Sequence, residues 1–227
     1  MCGRYNVIDD PDVRHLMDIL GIQLYPQTRY NIAPGGKGQI VYHREGQRLL
    51  DDAYWSLLIE PRPDGSGYRP SPRYSTFNAR AGKLGSSPLW QKRFRYQRAI
   101  VPASGFHEWV GERGSKQCHN IRLAEGAIAF AGLYEVWHFN GEAVTSFTIV
   151  TLPPHPRFSH IHSKSIPLML TKDEYDLWLD PDLTTTDPLE PLLISRIRQP
   201  LVIEPIRSSE SLEIIGPVER LKADGAR

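Results

Sequence analysis

Apolar positions in this chain form short alternating runs more often than they recur at helical spacing. One clear helical pattern stands near the start. Val13, Leu16, Met17 and Leu20 follow Asp10-Pro11 at i, i+3, i+4 and i+7, which predicts a capped helix closed at Gly21. Residues 30–36, around Asn31-Ile32-Ala33-Pro34-Gly35, read as a turn. Strands are predicted over 39–43, 53–59, 99–102, 106–110, 119–123, 128–137, 146–152 and 201–206, with a further apolar run at 166–170. Residues 172–179 and 189–197 read as helices and 88–95 as a helical turn. Residues 61–72 hold Pro61, Pro63, Pro70 and Pro72 and predict a mobile loop. Strands outnumber helices and do not alternate with them, so the expected class is α+β with a curved, mostly antiparallel sheet. No repeat or linker divides the chain. A single compact domain over 1–215 is expected, with 216–227 as a frayed tail.

Composition narrows the function. The 227 residues are 40% apolar and 23% charged with a formal net charge of +1. No global basic field marks a nucleic-acid partner, so any basic site must be local. Cys2 and Cys118 make neither a disulfide framework nor a zinc pattern. No segment approaches ~18 apolar residues and the N-terminus lacks an apolar signal region. The expectation is a monomeric cytoplasmic protein with no membrane role, in a reducing setting where a free Cys2 thiol survives.

Cys2 is the most chemical position. Removal of Met1 would leave an α-amine and a thiol on neighbouring carbons. That pair can trap an aldehyde as a Schiff base and close a five-membered thiazolidine. An α-amine titrates near ~7.7–8.0, against ~10.4 for a Lys side chain, so much more of it is free base at neutral pH. Three further segments place polar groups at strand ends or beside aromatic bulk: Phe77-Asn78-Ala79-Arg80, Gly105-Phe106-His107-Glu108-Trp109 and Ile161-His162-Ser163-Lys164. Each also has a plain structural reading. Asn78 can be a turn or cap, Glu108 a surface ion-pair partner, His162 a core-edge ring on a carbonyl, and Trp55 ordinary core. The run 90–98 interleaves four cations with aromatics, as either a DNA track or a solvated face. His160 and His162 alternate as metal ligands do on a strand, but no third ligand is evident, and neither metal nor cofactor is expected.

The ordered motifs are distinctive together. They are Met1-Cys2-Gly3-Arg4, residues 31–35, the Trp55-x-Leu57-Leu58 run, Asn78-Ala79-Arg80, and Val101-Pro102-Ala103-x-Gly105-Phe106-x-Glu108-Trp109. Phe130-Ala131-Gly132-Leu133-x-Glu135-x-Trp137, Phe147–Thr151 and Ile161-His162 ahead of Pro167 complete the set. The chain resembles the SRAP family, the SOS response-associated peptidases, over residues 2 to about 180. The resemblance implies a compact α+β fold with a twisted, barrel-like sheet and flanking helices. It implies binding of single-stranded DNA at abasic sites and a covalent crosslink through Cys2, which shields the lesion. It also implies that self-processing removes Met1. The implied catalytic set is Cys2, Asn78, Glu108 and His162. Glu108, between Phe106 and Trp109, is expected to be partly desolvated with a raised pKa. Arg4, Pro34, Gly35, Trp55, Arg80 and Lys164 are the implied DNA contacts.

Three departures from the family pattern stand out. Leu57 leads into Glu60-Pro61-Arg62-Pro63 where relatives carry a second Trp. His107 replaces a Tyr before the catalytic Glu. Ser163-Lys164-Ser165-Ile166 is one residue longer than usual, and Lys164 offers a point charge in place of an Arg fork. An N-terminal-nucleophile peptidase acting on other proteins remains an alternative, as does a noncatalytic single-strand binding module.

Overall fold

The alternating runs pair into two curved sheets that enclose one core. The computed structural model describes residues 3–112 and 114–225. The first part holds strands β1 (Tyr5–Val7), β2 (Arg29–Ile32), β3 (Lys37–Arg44), β4 (Gln47–Trp55), β5 (Ile59–Pro61), β6 (Tyr68–Pro70) and β7 (Asn78–Arg80), with helix α1 (Pro11–Ile19) after β1. Helices α2 (Ala81–Leu84) and α3 (Pro88–Tyr96) lead to β8 (Arg98–Ala103), β9 (Gly105–Val110), β10 (Gln117–Leu123), β11 (Ile128–Phe139) and β12 (Glu142–Leu152). The chain ends with β13 (Ile166–Pro167), β14 (Met169–Leu170), helix α4 (Tyr175–Leu179), β15 (Leu201–Ile206) and β16 (Glu219–Leu221).

Strands β12, β4, β3, β8 and β11 pair in that order, and β11 pairs back to β12, which closes a five-stranded barrel. Closure leaves no bare edge along that ring. Two hairpins make it possible. Glu45-Gly46 and Asn140-Gly141 all take positive φ (52°, 79°, 51° and 87°), the geometry that matches the twist of a two-residue hairpin. The second sheet runs β16-β15-β10-β9-β1-β2. It places the N-terminal strand between β9 and β2, with Tyr5 opposite Phe106.

Aromatic rings join the two sheets. Tyr5 meets Trp55 edge-on at 5.1 Å between centroids and Phe130 at 6.4 Å, while Phe106 meets Phe130 at 5.8 Å. All four rings are fully buried. The Tyr5 ring reaches into the barrel because position 38 has no side chain: a Cβ there would stand 1.9 Å from the Tyr5 hydroxyl. Helix α1 forms as expected. Asp10 caps it by accepting from the Val13 amide at 2.9 Å, Pro11 opens its first turn, and Val13, Leu16 and Met17 are buried. Burial of each such side chain is worth about 1.5–3 kcal/mol.

The α+β class with an antiparallel, barrel-like sheet holds. Several boundaries differ from expectation. Strand β4 starts six residues early, since Arg48, Asp51 and Asp52 put charge on a paired strand. The proline-rich segment 61–72 contributes to a small hairpin, β5 with β6. Residues 187–193 form a 3₁₀ helix with Pro191 inside it, not an α-helix, because proline removes a main-chain donor. The tail expected to fray after Gly216 instead adds β16 to the edge of β15. The basic run over 90–98 is an amphipathic helix end: Trp90 and Phe94 are buried, Arg93 pairs with Glu135, and Arg98 is buried against carbonyl oxygens of Trp178 and Phe94. Among the described residues no helix is long and apolar enough to cross a membrane.

Gly38→Ala must displace the Tyr5 ring or the barrel strand beneath it. Overpacking of this kind costs about 1–3 kcal/mol. Urea unfolding should show a lower midpoint with an unchanged slope; a wild-type midpoint would contradict the close approach.

Candidate active site

Strand β9 sets the geometry. Phe106 faces the core, so alternation places Glu108 on the same inward side and His107 and Trp109 on the other. Glu108 therefore extends the apolar face of β9 to its end, 7% exposed. Burial raises its carboxyl pKa to about 7, since the ionised form loses its water. A carboxyl at that value can both donate and accept a proton near neutrality. β1 runs antiparallel beside β9, and the His107 amide donates to the Arg4 carbonyl at 2.9 Å. The chain running back from Tyr5 to Gly3 thus advances along β9 from Phe106 towards Glu108. Cys2 itself lies outside the described residues.

His162 approaches Glu108 from another element, the connection between β12 and β13. Its Nε2 is 4.0 Å from Glu108 Oε2. The Lys164 and Ser165 amides each reach His162 Nδ1 at 3.2 Å. The Ser165 carbonyl oxygen lies 3.1 Å from the same Nδ1, so that nitrogen is held by Ser165 in either tautomer while Nε2 is turned to the Glu108 side. Burial lowers the pKa of His162, with the nearby Lys164 charge acting in the same direction. The segment after His162 thus folds into a small clasp around Nδ1, made by the Lys164 and Ser165 amides and the Ser165 carbonyl. A pair of titratable groups with pKa values pushed in opposite directions, acid up and base down, suits proton transfer to and from a substrate.

The other implied residues are placed as follows. Asn78, 9% exposed, lies on β7, which pairs in parallel with β12 through Ile149. Arg80, two residues on, pairs with Thr151 and is exposed. Arg80 and Lys164 line one cleft of about 240 Å³, together with Lys83, Leu152, Pro153 and Ser165. This cleft meets the His162 clasp at Ser165. Its rim carries three cations over an apolar floor.

Trp55 is not part of an exposed lining. It is fully buried, stacked on Phe147 at 6.3 Å, with Nε1 donating to the Phe77 carbonyl at 2.8 Å. Pro34 and Gly35 form a half-buried turn locked to it, the Gly35 amide donating to the Trp55 carbonyl at 2.8 Å. Gly35 takes φ +86°, and a Cβ there would lie 2.8 Å from Pro70 Cδ. Arg4 is half-buried, and its Nη1 donates to the Gly3 carbonyl at 3.0 Å. Its charge acts on His107, on the far side of the sheet from Glu108.

His107 is sealed at 0% exposure. Burial pushes its pKa down to about 4, and Arg4 adds to this, so the ring is neutral at physiological pH. Trp109, expected to help dry Glu108, points outward and is 38% exposed; Phe106 and the core supply the desolvation. Cys118 is buried and its thiol is pushed up to about 11 by burial, with the Glu108 charge adding, so it offers no competing thiolate. His160 and His162 turn to different carboxylates: His160 Nε2 is 2.8 Å from Glu219 Oε2. Sequence reasoning missed that contact, and also the Nδ1 clasp, because neither has a periodicity or motif to announce it.

Comparison with known proteins gives a consistent picture. The family described as SOS response associated peptidase (SRAP) matches residues 1–209. The abasic site processing protein YoaM of Bacillus subtilis is 31% identical over 206 residues, covering 86% of each chain. The abasic site processing protein YedK of Escherichia coli is 28% identical over 162 residues, covering 70% of this chain and 68% of its own. A crystal structure from Bordetella bronchiseptica superposes with a TM-score of 0.71 at 20% identity, covering 91% of this chain and 100% of that one. One from Bacteroides thetaiotaomicron gives 0.69 at 22%, covering 89% and 91%. The family match spans the barrel, β9 with Glu108 and the loop of His162, and the chain belongs to the SRAP family.

Proposed function

We propose that this protein processes abasic sites in DNA by binding single-stranded DNA at the lesion and coupling to it through Cys2, once Met1 has been removed by self-processing. The supporting observation is the buried Glu108 carboxyl, with a pKa near 7, facing His162 at 4.0 Å. The relatives named as abasic site processing proteins support the same reading. The working form is a monomer that stays on the DNA and shields the lesion.

The chemistry follows from an aldehyde meeting a β-aminothiol. The abasic sugar opens to its aldehyde. The Cys2 amine adds to the carbonyl carbon to form a carbinolamine. Loss of water, with a proton delivered to the departing hydroxyl, leaves an imine. The Cys2 sulfur then adds to the imine carbon, and the thiol proton passes to nitrogen, closing the thiazolidine. Glu108 is the group that takes the proton during amine attack and returns it during dehydration. His162 Nε2 moves the proton at the sugar oxygen, opening the ring forwards and re-forming it in reversal. Asn78 holds the amine or a sugar hydroxyl. Arg80 and Lys164 take flanking phosphates at the rim of the cleft.

Intact mass after mixing with an abasic single-stranded oligonucleotide should show a stoichiometric adduct on the form lacking Met1. Adduct on a homogeneous form retaining Met1 would contradict the ring scheme. Cleavage of added peptides with turnover, and no adduct, would point to a peptidase acting on other proteins.

The pKa of Glu108 sets a pH profile. If its acid form drives dehydration, the single-turnover rate falls as pH rises through about 7. Glu108→Gln should lose that descending limb and run about 10²–10⁴-fold slower. An unchanged limb in the variant would assign it to another group.

Arg80→Ala and Lys164→Ala should each weaken binding to single strands. Each should flatten the log–log salt dependence by about 0.7 per lost phosphate contact. An unchanged slope on salt titration would make these residues structural.

A further inference from the structure

His162 rides on a segment with little structure of its own. Residues 153–165 join β12 to β13 with one 3₁₀ turn, Pro156–Phe158. On the inside, Phe158 anchors this segment. It is fully buried against Phe106 at 6.2 Å, and its carbonyl accepts from the His162 amide at 3.0 Å. That attaches the backbone of His162 to the same aromatic cluster that precedes Glu108.

The outside of the segment is held by the C-terminal residues. His155 Nε2 lies 3.1 Å from Asp224 Oδ2, and the Arg157 guanidinium pairs with Asp224 Oδ1. Arg157 also donates to the Lys222 carbonyl at 2.9 Å. Further along, His160 Nε2 is 2.8 Å from Glu219 Oε2. The tail is itself fastened. Glu219 pairs with Ile203 on β15, and Asp224 exchanges two bonds with Ile197, its amide to the Ile197 carbonyl at 2.8 Å and the Ile197 amide to its Oδ2 at 2.9 Å. Burial alone would raise the Asp224 carboxyl; the Ile197 amide, Arg157 and His155 outweigh it and hold it below its ordinary value. The carboxylate therefore stays ionised and bound to several donors of the loop and of its own support.

We propose that residues 216–225 act as a strap that sets the position of His162, with Asp224 and Glu219 as its positioning residues. The inference rests on the assignment of His162 to proton transfer at the sugar. These residues lie beyond the span matched by the family, which ends at residue 209. The more exposed of these pairs, Arg157–Asp224 and His160–Glu219, contribute little to global stability. The effect of the tail's contacts is local: they tie down three positions, 155, 157 and 160, on the outer side of a connection whose inner side Phe158 anchors. Proton transfer is sensitive to such placement, and a displacement of about 1 Å can slow a reaction about 100-fold.

The experiment compares Asp224→Ala, Glu219→Ala, their combination and the conservative Glu219→Gln, which keeps an acceptor for His160. Two readouts are taken. One is the ring resonances of His162 in the free protein, assigned with His162→Gln, and their titration. The other is the single-turnover rate of adduct formation on an abasic single strand. The combined variant should unfold in one cooperative urea transition of unchanged slope, its midpoint lowered by loss of the partner of the Ile197 amide and of His155, and bind undamaged single strands as wild type does. Its His162 resonances should shift and broaden, and its rate should fall about 10-fold or more, within the range that misplacement produces. Glu219→Ala alone should show part of both effects, and Glu219→Gln should restore much of what Glu219→Ala loses. Wild-type resonances and rate in the combined variant would overturn the strap. Shifted resonances in a protein whose wild type forms no adduct would leave the strap standing and remove the crosslinking reading instead.

Discussion

A carboxyl group withdrawn from water at the end of a core-facing strand is the constraint on which this structure turns. Glu108 continues the inward side of β9 immediately after Phe106, so the packing that buries Phe106 against Phe130 also dries the carboxyl. Its pKa moves to about 7 for that reason first. The same burial logic, with opposite sign for a base, lowers His162 from the facing loop. A carboxyl that would be ionised in water at pH 7 and an imidazole that would be mostly neutral there face each other at 4.0 Å. The closed barrel supplies the rigid wall behind them.

The N-terminal strand brings Gly3 and Arg4 alongside β9. β1 is an interior strand of its sheet, paired to β2 on one side and β9 on the other. Its Tyr5 ring is inserted in the barrel opposite Gly38, which fixes its register against a one-residue slip. A slip would exchange the Tyr5 and Arg4 faces and carry the residues before them away from Glu108. The placement of Gly3 and Arg4 beside β9 is thus a consequence of aromatic packing deep in the core.

Much of the fold was legible because its signals are local. The spacing of Val13, Leu16 and Met17 after Asp10-Pro11 gives α1 directly, and 201–206 reads as a strand because it is buried on both faces. β4 was cut short because its charged residues look like a loop until β3 is there to pair with them. β16 has no apolar pattern, and only β15 makes it a strand. The motifs singled out Glu108 and His162, which the fold brings to 4.0 Å of each other, and the apolar neighbour Phe106 announced the raised pKa of Glu108. The direction of each side chain was not. Trp55 turned out to be barrel core, Trp109 faces outward, and His107 is shut away on the opposite side of the sheet from the carboxyl it adjoins. Alternation decides all three, and it needs the register that only the paired strands define. The contacts from Glu219 and Asp224 to the His162 loop join residues about 60 apart in sequence, a separation at which no pattern in a single chain gives warning.

The account stands or falls on the protonation of Glu108 in the folded protein. Labelling glutamate side-chain carboxyls with ¹³C and assigning Glu108 by comparison with Glu108→Gln allows its titration to be followed by NMR without DNA. The account predicts a midpoint near pH 7. A midpoint near the ordinary glutamate value of about 4.3 would mean that the carboxyl is hydrated, and would contradict the desolvated acid on which the site is built.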